Sequence, residues 1–201
     1  ADKVIDAKGL IVAPGFIDVH GHIENGIFER PTSENYLYDG VTTVVTGNCG
    51  GSADDLKKFF HDIDSIKTSI NVASLIGQNN VRRLVMGLED RKATAADQQK
   101  MEQLVTQAMK DGAVGLSTGL IYLPGMYSST EEVAGLAKAA AAYNGVYASH
   151  IRNEEHDVVQ AINEAIDIGR QADIPVQISH FKVSGKANWG RSKETLPLII
   201  K

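Results

Sequence analysis

Short apolar runs rich in Val and Ile recur along the chain and alternate with stretches whose apolar residues return every three or four positions. The runs at residues 16–22, 41–48, 70–78, 113–122, 146–152 and 176–182 predict six strands. Several stay apolar without strict alternation, as strands of a parallel sheet covered on both faces do. Between them, Ser52-Ala53-Asp54-Asp55, Thr94-Ala95-Ala96-Asp97 and Ser129-Thr130-Glu131-Glu132 have the spacing of helix-capping boxes. Each precedes a one-sided apolar pattern, the first carrying Leu56, Phe59, Phe60 and Ile63. A fourth helix is predicted from about Glu155 and ends before Pro175. Gly40, Gly112 and Gly145 fall between a helical pattern and the next strand, where a left-handed residue is often needed.

Repeated strand–helix units imply a parallel sheet with right-handed crossovers, either an open doubly wound sheet or a closed (β/α)8 barrel. No glycine-rich phosphate fingerprint follows the first strand, which weakens the dinucleotide-binding form of the open sheet. Six units are visible, so a TIM-like barrel would be incomplete here.

Composition narrows the partners. Apolar residues are 43% and charged residues 22% of the 201 positions, ordinary for a globular α/β domain. A net charge of −5 argues against nucleic acid or an anionic membrane as partner, and no apolar run is long enough to span a bilayer. The start, Ala1-Asp2-Lys3-Val4, has no basic and apolar leader, and a single cysteine makes no internal disulfide; the expectation is a cytoplasmic protein.

The polar residues that break this pattern fall at strand ends. Of six histidines, His20, His22, His150 and His180 close predicted strands, whereas His61 and His156 are expected at exposed helix positions. In a (β/α)8 barrel the C-terminal strand ends form the catalytic face. His20 and His22 are two residues apart, so on a strand both imidazoles point the same way. His-x-His alone is a weak signal. Cys49 ends the second strand, flanked by Gly50 and Gly51, which let backbone and thiolate come close to an ion. The fifth and sixth strands echo each other: Ser149-His150-Ile151-Arg152 and Ser179-His180-Phe181-Lys182. Strand parity would bring each histidine and its basic neighbour to one face. Two imidazoles and two cations in one cavity require a metal or an anion between them, unless the cations pair with Glu154 or Glu155. Five donors at the ends of the first, second, fifth and sixth strands make a metal site the best single account.

These residues resemble the metal-dependent amidohydrolase superfamily, and more closely its D-aminoacylase (N-acyl-D-amino-acid deacylase) family. The likeness lies in the approach to His20-Gly21-His22, in Thr46-Gly47-Asn48-Cys49-Gly50, in Gly115-Leu116-Ser117-Thr118-Gly119 through Tyr122, and in the two Ser-His segments followed by Asn188-Trp189-Gly190. It covers nearly the whole chain, and the cysteine motif is its specific part.

The resemblance implies zinc-dependent hydrolysis of the amide bond of N-acyl-D-amino acids. Cys49, His150 and His180 would hold one tight zinc, and His20 and His22 a second, weaker metal. Tyr122, Arg152 and Lys182 would hold the substrate carboxylate or carbonyl. Ile23-Glu24 stands where the family has an acidic pair, which leaves loop-dependent substrate preference open. The family's catalytic aspartate belongs to strand eight and would lie beyond Lys201. Residues 1–12 are expected to link from a β-sandwich domain, residues 13–201 to be a partial hydrolase barrel completed by the remainder of its own chain, and the piece alone to be inactive. The alternatives are another amidohydrolase reaction, of dihydroorotase or isoaspartyl dipeptidase type, and a non-catalytic barrel scaffold.

Overall fold

A computed structural model describes residues 3–200. Ala1 and Asp2 of the expected 1–12 link, and Lys201, lie outside the described residues. The strands are β1 (Phe16–Asp18), β2 (Val41–Thr46), β3 (Asn71–Ser74), β4 (Ile76–Gly77), β5 (Gly115–Gly119), β6 (Val146–His150) and β7 (Val176–Ile178). The helices are α1 (Gly26–Glu29), α2 (Glu34–Tyr38), α3 (Leu56–Ile66), α4 (Gln78–Met86), α5 (Ala95–Lys110), α6 (Thr130–Ala141), α7 (Val158–Ala172) and α8 (Ser192–Ile199), with single 3-10 turns at Gly125–Tyr127 and Lys186–Asn188.

Every strand pairing is parallel, in the order β1-β2-β3 and β4-β5-β6-β7. The two sets share one length of chain. Residues 71–74 pair with β2, residues 76–77 pair with β5, and Leu75 between them keeps a hydrogen bond from its N–H to Thr46 O. The six expected strands are therefore present, the third broken in two at Leu75. Sequential parallel order with a helix or helices in each crossover makes this an incomplete TIM-like barrel.

The strands are shorter than the apolar runs. The first ends at Asp18 and the last at Ile178, so His20, His22 and His180 sit just beyond strand ends. Ladder hydrogen bonds nevertheless run on past them, from Gly21 N–H to Val45 O and from Ser179 N–H to Ser149 O.

The caps differ in one case of three. Thr94 and Asp97 form the reciprocal capping box, and Ser129 accepts from Glu132 N–H. At α3 the cap is Asp55, which accepts from Lys58 N–H; Ser52 accepts from Gly77 N–H and so ties the segment after β2 to β4. Gly40 and Gly112 do take positive φ, but at the third link Asn144 is the left-handed residue, not Gly145. Among the described residues no helix is long and apolar enough to cross a membrane.

The core lies between strands and helices. Val44, Val81, Leu116, Leu136, Ile162 and Ile168 are excluded from water, and each such side chain contributes roughly 1.5–3 kcal/mol by burial. Tyr147 is fully buried and its hydroxyl meets Thr118 Oγ1 at 2.9 Å; burial pushes its pKa up to about 12.

Candidate metal centre

The C-terminal ends of the strands bring four chemically active side chains to one point. Cys49 Sγ stands 3.5 Å from His20 Nε2, 3.6 Å from His150 Nδ1 and 3.7 Å from His180 Nε2. These residues come from the ends of β1, β2, β6 and β7. His22 is one ring further out, with its centroid 5.3 Å from that of His20, and it lines a groove of about 320 Å3 with Ile23, Ile27, Arg30 and Tyr36. The remaining histidines stay apart. His61 is exposed on α3 as expected, while His156 is exposed in the turn before α7 rather than on a helix.

Local sequence explains how Cys49 is held. The residues Gly47, Cys49 and Gly50 all have positive φ, so the chain coils tightly after β2. Ser117 on β5 clamps this coil at both ends: its hydroxyl donates to Gly47 O and accepts from Gly50 N–H. Gly50 could not be replaced without a shift, because a Cβ there would lie 1.9 Å from Asn79 Oδ1. Gly119 admits the Cys49 carbonyl, which would lie 2.1 Å from a Cβ at that position. Asn48, fully buried, donates through Nδ2 to the carbonyls of Val19, Gly21 and Val45 and so fixes the His20–His22 segment against β2. Glu24 completes the joint, accepting from Thr46 Oγ1 at 2.6 Å and Gly47 N–H at 2.7 Å. The departure at Ile23-Glu24 thus has a structural role here.

The electrostatics favour neutral imidazoles at His150 and His20. Burial, with the neighbouring histidines and Lys182 adding to it, pushes His150 down to about 4, against the opposing pull of Glu154. His20 is lowered by burial and by the charges of His180 and His22. Burial also raises the Cys49 thiol, helped by Glu154, so without a cation the sulfur is protonated.

Thiolate and imidazole are donor types that zinc takes, and the sulfur-to-nitrogen distances match it. Bonds of about 2.3 Å to sulfur and about 2.0–2.1 Å to imidazole nitrogen at tetrahedral angles put S and N about 3.5 Å apart, and the observed separations are 3.5–3.7 Å. His20, Cys49 and His180 offer donors within 4.8 Å of one another, as do His150, Glu154 and His180; the expected trio Cys49, His150 and His180 is not one of these mutually close sets. Buried Nδ1 of His20 and Nε2 of His150 have no hydrogen-bond partner.

A match to the amidohydrolase family spans residues 3–192. The chain belongs to the amidohydrolase family. It is 38% identical over 218 residues to the D-aminoacylase of Alcaligenes xylosoxydans xylosoxydans, covering 97% of this chain and 45% of that protein. The N-acyl-D-glutamate deacylase of the same organism is also 38% identical, over 99% of this chain and 45% of its own. The solved N-acyl-D-glutamate deacylase of Bordetella bronchiseptica, complexed with zinc and a phosphonate inhibitor mimicking the tetrahedral intermediate, superposes with a TM-score of 0.91 at 40% identity, over 96% of this chain and 45% of that one. A solved D-aminoacylase described by a binuclear metal centre, with one-metal activation and second-metal attenuation, has a TM-score of 0.88 at 37% identity over 92% and 44%. This amidohydrolase chain spans a little under half the length of the relatives it matches.

The expected substrate contacts divide. The Tyr122 ring lies 4.7 Å from that of His150 and is half exposed. Lys182 Nζ lies 3.1 Å from His180 Nδ1, a contact made in the loop beyond β7, where His180 takes positive φ and strand parity does not apply. Arg152 does not follow parity, because β6 stops at His150. Its guanidinium turns to α7, donating to both oxygens of Glu164 and to the carbonyls of Met126 and Ser128. The carboxylates paired with the two cations are Glu154 for Lys182 and Glu164 for Arg152. Glu154 is the residue that sequence reasoning left outside the site. The signal for it was present: a carboxylate four residues after His150, near two cations.

Proposed function

We propose that the protein hydrolyses the amide bond of N-acyl-D-amino acids, giving a D-amino acid and a carboxylate. One zinc would be held tightly by Cys49, His150 and His180, with a weaker metal position beside His20 and His22. The observation that carries this reading is the thiol of Cys49 at tetrahedral-zinc separations from imidazoles of three other strand ends. The names of the similar enzymes support the substrate class, and the one-metal activation described for a D-aminoacylase supports one tight site.

Bound there, zinc would lower the pKa of a water and polarise the amide carbonyl. The chain's own residues prepare the site for it. His150 is neutral across the physiological range and turns its Nδ1 towards Cys49 Sγ at 3.6 Å. Lys182 donates one proton of its ammonium to Glu154 and keeps others for a substrate carboxylate. Tyr122, against His150, borders the same space. With carboxylate and carbonyl each fixed, the side chain and hydrogen on the α-carbon are distinguishable, and one enantiomer fits. Arg152 would act one step away, bracing the 3-10 turn that follows Tyr122.

The test is release of carboxylate from N-acetyl-D- and N-acetyl-L-amino acids by the full-length protein, before and after chelation and on return of zinc. Zinc-dependent release from the D substrates alone is expected. Equal rates on L substrates reject the stereochemical assignment, and activity untouched by chelation rejects the metal.

A further inference from the structure

The imidazoles of His150 and His180 each present one nitrogen to Cys49 and the other to a single carboxylate. His150 turns Nδ1 to the sulfur at 3.6 Å and Nε2 to Glu154 Oε1 at 3.6 Å. His180 turns Nε2 to the sulfur at 3.7 Å and Nδ1 to the same oxygen at 3.0 Å. Glu154 therefore stands behind both rings, on the side away from the thiol, with its side chain only 12% exposed.

At His180 two groups compete for Nδ1: Glu154 Oε1 at 3.0 Å and Lys182 Nζ at 3.1 Å. An ammonium only donates, so a bond from Lys182 would need the lone pair on Nδ1 and leave the proton on Nε2, facing Cys49. A carboxylate only accepts, so a bond to Glu154 needs the proton on Nδ1 and leaves the Nε2 lone pair facing Cys49. Only the second tautomer can bind a metal beside the sulfur. Glu154 also takes a hydrogen bond from the Lys182 ammonium at 2.5 Å, which draws that donor away from the ring.

We propose that Glu154 is a positioning residue that sets the metal-binding tautomer of His180 by accepting from Nδ1–H while holding Lys182 off the same nitrogen. The inference rests on the zinc reading above and concerns how the chain prepares its ligands. Partners of this kind behind metal-bound histidines typically change metal affinity by about 10–100-fold.

The experiment is zinc affinity of the full-length protein, measured by competition with a chelator, for wild type, E154Q, K182M and the E154Q/K182M double variant. E154Q is expected to weaken zinc binding by about 10–100-fold, and K182M to leave it near wild type. The double variant is expected to recover most of the loss, because the competing donor is gone. E154A is read in the same way should E154Q fail to fold by circular dichroism. Unchanged affinity in the glutamate variants, or a loss that K182M does not relieve, overturns the inference and leaves the zinc reading standing. A wild-type protein that binds no zinc overturns both.

Discussion

The Sγ of Cys49 stands 3.6 Å from Nδ1 of His150, although 101 positions separate them in the chain. The thiol is half-buried and its pKa is raised, first by burial. Without metal it carries no charge, so C49S is expected to change the stability of the metal-free protein by less than about 1 kcal/mol. With metal the sulfur is the anionic ligand, and zinc affinity is expected to fall by more than about 100-fold, beyond what outer hydrogen-bond partners give. Elemental analysis after dialysis, with urea unfolding of both forms, checks the two halves separately. Full zinc retention in C49S would remove the cysteine from the site.

The coil that carries Cys49 depends on a missing side chain. At Gly50, φ is +77° and a Cβ would collide with Asn79 Oδ1. G50A is expected to cost at least about 1–3 kcal/mol from the backbone conformation alone, with a further cost from displacing Asn79. It is also expected to lower zinc content, because the shift is transmitted to the adjacent residue. A lower urea midpoint with unchanged slope reports the first effect.

Much of this was legible in the sequence because it followed period and position. Six apolar runs gave six strand paths, and donors at their ends converged as barrel geometry requires. What was not legible depended on contacts distant in sequence. The apolar run 70–78 gives no sign of the break at Leu75, nor that α4 begins directly at Gln78. Ser52 has the spacing of a helix cap but is drawn to Gly77 N–H, and Asp55 takes the cap. Parity decides neither Lys182 nor Arg152, since β7 ends at Ile178 and β6 at His150 and alternation has no meaning beyond them. Lys182 meets His180 through the loop, whose left-handed turn at His180 carries no strand period. Glu154 looked like a surface partner for a cation, and only the fold puts it behind two histidines.

The pair Arg82–Glu132 lies away from the metal centre, in the helical layer. The Arg82 side chain has no exposure and that of Glu132 only 5%, with Nη1 2.6 Å from Oε2. Arg82 also donates to the carbonyl of Arg91, while its Nε has no partner. Removing one partner leaves a buried charge, so E132Q is expected to destabilise by about 3–5 kcal/mol. The double variant R82M/E132L is expected to recover much of this, since apolar replacement of a whole buried pair is often neutral. Chemical unfolding of the zinc-replete proteins tests both. Equal destabilisation by the single and double variants would show that packing, not charge, dominates there.

Arg152 offers a choice between two roles that kinetics separates. Its guanidinium is held by Glu164 and by the carbonyls of Met126 and Ser128, so it braces the turn after Tyr122. On that reading E164Q loosens the same brace as R152A. Hydrogen bonds to charged groups contribute about 1.5–3 kcal/mol net, so either variant is expected to raise KM for an N-acyl-D-amino acid by about tenfold or more, with zinc content unchanged. Were the guanidinium instead the grip on the substrate carboxylate, E164Q would release it, and the two variants would move KM in opposite directions. Parallel increases support the brace. A fall in KM for E164Q, against a rise for R152A, returns Arg152 to the substrate.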